Sequence, residues 1–572
     1  MNLLPRSEFP RPDFVRQRWQ CLNGDWQFSF AEPTFDRKIT VPYCYQSALS
    51  GIAEKSDHPC VWYRRNFDVD AGWSADGRLL LKFGAVDTRA DVWLNGQYLG
   101  CHVGGYTPFS FDITKDVKPQ HNELVVKAQD SVAADKPRGK QTWRGELFGC
   151  WYTPISGIWQ SVWLEQVGSI YAERIKLTPN ADRLTALCEV FVAEEATVRA
   201  EVTACLRGEE LCQQTFLCEN GYGKTCLAFP DMDVLRHQLL WSPENPNLID
   251  VRVVLTPTTG AADIVDTYFG LRSIECRNGQ VLLNGEPYYQ RLVLDQGYWP
   301  DSLLTPPTDD AIRQDLELTK AMGFNGARKH QKIEDPRYYY WADRLGVLVW
   351  GELPSAYLFN DKAIESSSQT LHEFVQRDFN HPCIVMWVPV NESWGVRDVL
   401  NDAQQQNYCR MLTYQLKALD PTRPVSSNDG WEQVSETDIC AIHDYGLMPE
   451  TLESYTNLTQ VLHTMAEHRL LFAKGNAYGE QPILLTEYGG IAFVQDGDEN
   501  SWGYYGRVAN AEEFLARLSP TTNFLLQSRQ FAGFCYTQLT DVMQEVNGLL
   551  YEDRSPKLPL TALAAVFGKR RR

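Results

Sequence analysis

Arg377-Asp378-Phe379-Asn380-His381-Pro382-Cys383-Ile384-Val385-Met386-Trp387-Val388-Pro389-Val390-Asn391-Glu392 is the stretch on which the reading of this chain turns. A helix-like segment, residues 371–379, leads into an apolar run, residues 383–390, that stops on an amide and a carboxylate. A buried strand fed by a helix and ending in polar side chains is the repeating unit of a parallel-stranded barrel. In such barrels the chemistry sits at the C-terminal ends of the strands.

Working outward, the same unit recurs from residue 278 to the C-terminus. Apolar runs predict strands over residues 288–294, 326–328, 347–350, 383–390, 424–428, 439–442, 483–486 and 533–537. Helical patterning lies between them over residues 309–322, 336–345, 371–379, 403–419 and 511–518. Eight strand–helix units in roughly 295 residues fit a (β/α)8 barrel over residues 277–572. Upstream the pattern is β only. Residues 1–166 carry short alternating runs, with Asn95-Gly96 as a hairpin turn, and read as a jelly-roll sandwich. Residues 167–276 alternate again over roughly 110 residues, a length that suits an immunoglobulin-like sandwich. Three domains agree with a chain of 572 residues, since single cores stop growing near ~250–300 residues.

Composition narrows the function. The net charge of −19 argues against a nucleic-acid partner, because phosphate binding needs clustered Lys and Arg; the basic run at residues 569–572 reads as a frayed tail. The chain shows neither an apolar leader at its N-terminus nor a run of ~18 apolar residues, so no membrane partner is expected. The 15 cysteines are odd in number, scattered and without a CxxC pair. Free thiols in a reducing, cytoplasmic setting explain them better than a disulfide framework. Aromatic residues reach 12%, with 17 Trp; they suit β-domain cores and also the faces of sugar rings. Homo-oligomerisation is left open.

The strand ends carry the candidate site. They are Asp295, then Arg328 with Lys329 and His330, Glu352, Asn391-Glu392, Asn428-Asp429, His443-Asp444-Tyr445 and Glu487. Carboxylates, imidazoles, amides and an Arg on one rim suit carbohydrate chemistry, which needs many hydrogen-bond partners and two carboxyl groups. The chain contains no GxSxG elbow, no Walker loop, no HExxH and no dinucleotide fingerprint. Each rim residue also has a plainer reading. A lone Glu after a strand is commonly a cap or an ion-pair partner. Arg328 could merely neutralise rim carboxylates, His330 and His443 could be polar loop residues, and Glu352 could support another side chain rather than touch sugar.

The motifs together resemble the family-2 glycoside hydrolases, which include β-galactosidases, β-glucuronidases and β-mannosidases. In the first domain the resemblance rests on Phe83-Gly84-Ala85-Val86-Asp87, Val92-Trp93-Leu94-Asn95-Gly96, Gly104-Gly105-Tyr106 and Ser156-Gly157-Ile158-Trp159-Gln160. In the barrel it rests on the opening stretch and on Pro482-Ile483-Leu484-Leu485-Thr486-Glu487-Tyr488-Gly489. It implies a retaining exo-β-glycosidase, β-galactosidase-like, with Glu487 as nucleophile and Glu392 as acid/base. Glu392 would then have a raised pKa from Glu487 and partial burial. It also implies Asn391 on the sugar 2-hydroxyl and a tyrosine beside the nucleophile, a role for which Tyr445 and His443 compete. Arg328, His330, Asp295 and Glu352 complete the expected sugar contacts.

Two departures bear on substrate. Glu545-Val546-Asn547-Gly548 stands where β-glucuronidases of the family carry Asn-x-Lys, so no glucuronide preference is expected. Pro354 stands where a magnesium-binding His would follow Glu352, so neither a metal nor another cofactor is expected. Lys329 and Lys332 remain as positive charges for an acidic sugar. β-Glucuronidase, β-galacturonidase and β-mannosidase stay open as alternatives, as does a carbohydrate-binding protein whose barrel has lost activity.

Overall fold

The computed structural model describes residues 4–70, 72–73, 76–230, 238–493 and 501–568; the basic run at 569–572 lies outside the described residues. The first domain is a sandwich of a six-stranded and a four-stranded antiparallel sheet. Strand Asn122–Gln129 shows why it folds so: its residues alternate strictly between buried and half-exposed, the pattern of a strand with one face on a core. Trp26, Phe28, Tyr63, Leu81 and Val126 fill the space between the sheets.

The second domain packs a five-stranded sheet on a three-stranded one around Ile175, Val190, Val202 and Val253. Its five-stranded sheet takes its edge from the start of the chain. Strand Phe14–Val15 pairs antiparallel with Asp263–Phe269. The expected first domain, residues 1–166, therefore loses this segment to its neighbour. Phe14 is buried in the second core, and Arg16 pairs with Asp263 at 2.8 Å. The expected boundary at 276/277 also shifts. It cuts a hairpin, Ile274–Arg277 with Gln280–Leu283, whose Ile274, Val281 and Leu283 pack into the barrel core.

The barrel sheet has seven parallel strands. In chain order they are Gln290–Asp295, Gly326–Lys329, Leu348–Glu352, Ile384–Val388, Cys440–His443, Ile483–Gly489 and Phe531–Thr537. They correspond to the expected runs one to four and six to eight. Gly326 is the weakest strand former among them, and it is required: a Cβ there would sit 2.6 Å from Leu292 Cδ2 and 2.7 Å from the Leu348 carbonyl. The expected fifth strand, residues 424–428, does not form as a ladder. Isolated bridges Val425–Trp387 and Asp429–Asn391 stand in its place. Pro424 has no N–H to give, and the Val425 N–H goes to the Asp438 side chain. Helices Asp309–Ala321, Pro336–Leu345, Asp361–Asp378, Ala403–Leu419, Ala511–Gln527 and Leu560–Phe567 cover the outside. No helix of the described residues is long and apolar enough to cross a membrane.

Candidate active site

Glu392 lies just past the fourth barrel strand, Ile384–Val388, and Glu487 within the sixth, Ile483–Gly489. One oxygen of each carboxylate and one ring nitrogen of His443 lie within 4.8 Å of one another. Glu487 is held from two sides. Arg328 Nη1 donates to its Oε1 at 2.8 Å, and the Tyr445 hydroxyl donates to its Oε2. Tyr445 is fixed in turn by Thr537 Oγ1 at 3.2 Å and by Tyr504, whose ring stacks on it at 3.9 Å. Of the two candidates for the tyrosine role, Tyr445 is the one whose hydroxyl donates to Glu487.

His443 takes another part. Its Nδ1 lies 2.8 Å from Glu392 Oε1 and 3.5 Å from Glu487 Oε2, and its Nε2 lies 2.8 Å from Asp429 Oδ1. Burial opposes charge on this ring, but Glu487, Asp429 and Glu392 outweigh it and push its pKa up to about 10. The ring is thus an imidazolium at neutral pH, with both N–H groups donated to carboxylates. The consequence for Glu392 runs against the expectation of a raised pKa. Burial raises it, yet the hydrogen bond and charge of His443, then Lys140 and the Trp394 indole, hold it below the usual carboxylate range. The neighbouring Glu487 is not what sets it.

Arg328 is fully buried and gathers the rim. Besides Glu487 it donates from Nε to Glu352 Oε2 at 2.8 Å and from Nη2 to Asn391 Oδ1, and it lies 3.5 Å from Asp429. Asn391 spends its oxygen on Arg328, while its Nδ2 is buried without a partner among the described residues. That free donor beside Glu392 suits a sugar hydroxyl. Burial pushes Glu352 up to about 7 against the pull of Arg328. Glu352 has no exposure, accepts from Arg328 and from the Gln331 N–H, and lies 3.0 Å from His330 Nδ1 without a hydrogen bond to it, so it supports Arg328 rather than touching sugar. Burial, then the charge of Lys140, hold His330 well below its ordinary pKa, so it is neutral.

Asp295 is not brought into this cluster. Its oxygens accept from the Gly297 N–H and from Lys329 Nζ, each at 2.8 Å. Lys329 also meets Glu334 at 2.8 Å, and Lys332 meets the other Glu334 oxygen at 2.8 Å. The two lysines are consumed by these pairs and are only 1% exposed, so neither is free for an acidic sugar. A magnesium ion at Glu352 does not fit these residues: both of its oxygens are engaged, and Pro354 offers no side-chain donor. Nor does His443 offer a lone pair, since a carboxylate faces each of its nitrogens.

Asp429, one of the strand ends read from the sequence, closes the irregular fifth element and holds His443. Other parts of the site were not singled out from the sequence. Trp394 donates to Glu392 Oε2 at 3.2 Å and packs edge-on against Trp151 at 4.9 Å. Trp151 and Trp143 come from the first domain, and Trp143 stacks on Tyr357 of the barrel at 4.1 Å. The available signal was the density of aromatic and cationic residues over residues 140–152, outside the barrel.

Residues 274–569, just over half of the chain, match the family description "Glycosyl hydrolases family 2, TIM barrel domain"; residues 21–166 match "Glycosyl hydrolases family 2, sugar binding domain". A beta-galactosidase of Thermoanaerobacter pseudethanolicus is 27% identical over 402 residues, covering 67% of this chain and 52% of the relative. A beta-glucuronidase of Paenibacillus borealis is 24% identical over 618 residues, covering 98% of both. The chain spans about half the length of the first curated relatives it matches, at 52%, 46% and 42%. Among solved structures, a GH2 beta-galacturonidase from Eisenbergiella tayi bound to galacturonate superposes with a TM-score of 0.75 at 20% identity over 99% of both chains. The beta-D-glucuronidase of Dictyoglomus thermophilum gives 0.76 at 20% identity over 98% of both. At that identity the likeness is one of fold.

Proposed function

Because the chain belongs to glycosyl hydrolase family 2, we propose that it is a retaining exo-β-glycosidase working by double displacement. The observation that carries this reading is the approach of the Glu392 and Glu487 carboxylates, with oxygens within 4.8 Å of each other. Retaining enzymes keep their carboxyl groups ~5–5.5 Å apart, whereas inverting ones need ~6.5–9.5 Å to admit a water. Glu487, oriented by Arg328 and Tyr445, attacks the anomeric carbon, and the glycosidic oxygen leaves with a proton from Glu392. That proton is stored on His443 in the free enzyme and crosses the 2.8 Å bond to Glu392 as the leaving group draws it. A covalent glycosyl–Glu487 ester results. In the second step water attacks the anomeric carbon, its proton returns to the Glu392–His443 pair, and the Glu487 carboxylate leaves. Asn391 Nδ2 binds the sugar 2-hydroxyl.

The curated relatives support a β-galactoside and a β-uronide equally, as a galactosidase and a glucuronidase both stand among them. The 15 free cysteines support the cytoplasm as the place of work. The test is a panel of aryl 2-deoxy-2-fluoro-β-glycosides. One of them should inactivate the enzyme and leave a label that peptide mass spectrometry finds on Glu487, and Glu487→Gln should lose at least ~10⁴-fold in turnover. A label on another residue removes Glu487 from the nucleophile's role.

A further inference from the structure

Lys140 is contributed by the jelly-roll domain and stands at the rim of the barrel. Its loop is clamped there. Arg138 and Gly139 N–H groups donate to the Ser355 carbonyl at 2.9 and 3.2 Å, the Tyr357 hydroxyl donates to the Gly139 carbonyl, and Tyr152 N–H donates to the Lys140 carbonyl at 2.8 Å. Gly139 itself has φ +61°, and a Cβ there would lie 2.1 Å from the Gln331 carbonyl oxygen, so the loop lies hard against the end of the second strand.

The Lys140 side chain is 6% exposed. Its Nζ donates to Cys150 Sγ at 3.2 Å and lies 5.6 Å from the Trp151 ring centroid. No carboxylate of the described residues comes within 4.0 Å of it. Burial pushes the Cys150 thiol up, so the sulfur is neutral and the ammonium has no anion at contact distance, its charge being held against burial with the help of the more distant Glu545 and Glu392 carboxylates. The contrast with Arg328, Lys329 and Lys332 is sharp, since each of those has carboxylates at ion-pair distance. The charge of Lys140 is felt at the candidate site, where Trp151 beside it packs on Trp394, which donates to Glu392. It is the charge acting most on His330 and on Glu545, and after His443 the one acting most on Glu392. Glu545 makes no ion pair with it, and its oxygens accept from the Tyr152 hydroxyl and from Asn547 Nδ2. Trp151 Nε1, buried and without a partner among the described residues, adds a neutral donor beside it.

An ammonium has three donors, and one that spends a single donor on a neutral sulfur keeps the others for the anion that a ligand brings. We propose that Lys140 receives the carboxylate of a bound hexuronic acid, so that this site takes β-linked uronides through a cation supplied from outside the barrel. The inference rests on the exo-glycosidase reading above and names its substrate class. It replaces the expectation of no uronide preference, which considered positive charge only on the barrel.

The experiment compares aryl β-galactoside, β-glucuronide and β-galacturonide on the wild type, Lys140→Met and Lys140→Arg, with folding followed by thermal melting. The wild type should favour a uronide over the neutral hexoside by roughly 100-fold in kcat/KM. Lys140→Met should collapse that ratio, mainly through KM, and Lys140→Arg should keep part of it. A wild type that cleaves the neutral hexoside best overturns the proposal and leaves the glycosidase reading standing, as does a Lys140→Met variant that loses both substrates equally. Inertness toward all three, with no label on Glu487, overturns both readings. Should neither variant fold, the wild-type ratio alone decides.

Discussion

His443 changes how the proposed acid/base role of Glu392 must be understood. A general acid with a depressed pKa is a contradiction if Glu392 titrates alone. It is none if Glu392 and His443 form one titrating pair that holds a single proton across a wide pH range. The lower edge of that range is the depressed Glu392 and the upper edge is His443 at about 10. The basic limb of kcat/KM should therefore lie well above neutrality. In His443→Gln the proton has no second home, and Glu392 must keep it unaided among buried carboxylates. The basic limb should then fall toward the carboxylate range, with activity recovered at acid pH. A limb that stays put in the variant would mean that His443 only props up its neighbours. The same ring links pH to stability. Its folded pKa stands above the unfolded value of 6.5, so its contribution is complete below 6.5 and is lost as pH rises through about 10. None of this was legible in the sequence, where His443 was one polar strand end among several and its three carboxylate neighbours came from three other elements.

At the scale of elements, the turn after the fourth strand aims the Glu392 side chain. Glu392 and Ser393 are consecutive non-glycine residues at φ 50° and 57°, a conformation that costs of order 1 kcal/mol each and must be held by its surroundings. The irregular fifth element does the holding. Asn428 accepts from Ser393 N–H through Oδ1 and donates to Ser393 Oγ through Nδ2, both at 3.0 Å, and the Asp429 carbonyl accepts from Glu392 N–H at 2.9 Å. Asn428→Ala leaves the buried Ser393 N–H unpaired. It should cost about 1–3 kcal/mol in a urea melt and roughly 10-fold in kcat with little change in KM. A stability loss with kcat intact would show that the turn aims nothing. The expected strand over 424–428 failed because of this function and of Pro424: an element that spends its polar groups on a turn does not build a ladder. Helix 361–378 was read ten residues short because Glu365, the three serines 366–368 and Gln369 mask its apolar stripe; the capping Asn360, whose side chain accepts from Ala363 N–H, was the usable signal. Helix Ala511–Gln527 ran past its expected end at Leu518, through Pro520. Strands Leu348–Glu352 and Ile483–Gly489 were legible because each opens on an apolar run, as buried parallel strands do, and both continue past the expected ends at residues 350 and 486.

At the scale of the whole molecule, the site is a joint product of two domains, and a third secures them. Arg16 donates to Glu165 of the jelly roll at 2.7 Å and to Asp263 of the sandwich at 2.8 Å, with all three buried, so the N-terminal segment pins the first two domains together. The sandwich in turn reaches the barrel through Tyr268, whose hydroxyl donates to Asp343 at 2.9 Å, and Asp343 also lies 2.6 Å from His381. Glu392 and Glu487 were readable because each carries its context along the chain. Lys140, Trp143 and Trp151 were not, because their context is the barrel rim against which they fold. The central claim, double displacement between Glu392 and Glu487, is tested most directly by proton NMR of the first sugar anomer released from an aryl β-glycoside that the enzyme cleaves. The account requires the β-anomer to appear first and the α-anomer to grow in only by mutarotation. Initial release of the α-anomer would mean single displacement by water, and would contradict a site whose carboxylate oxygens lie within 4.8 Å of each other.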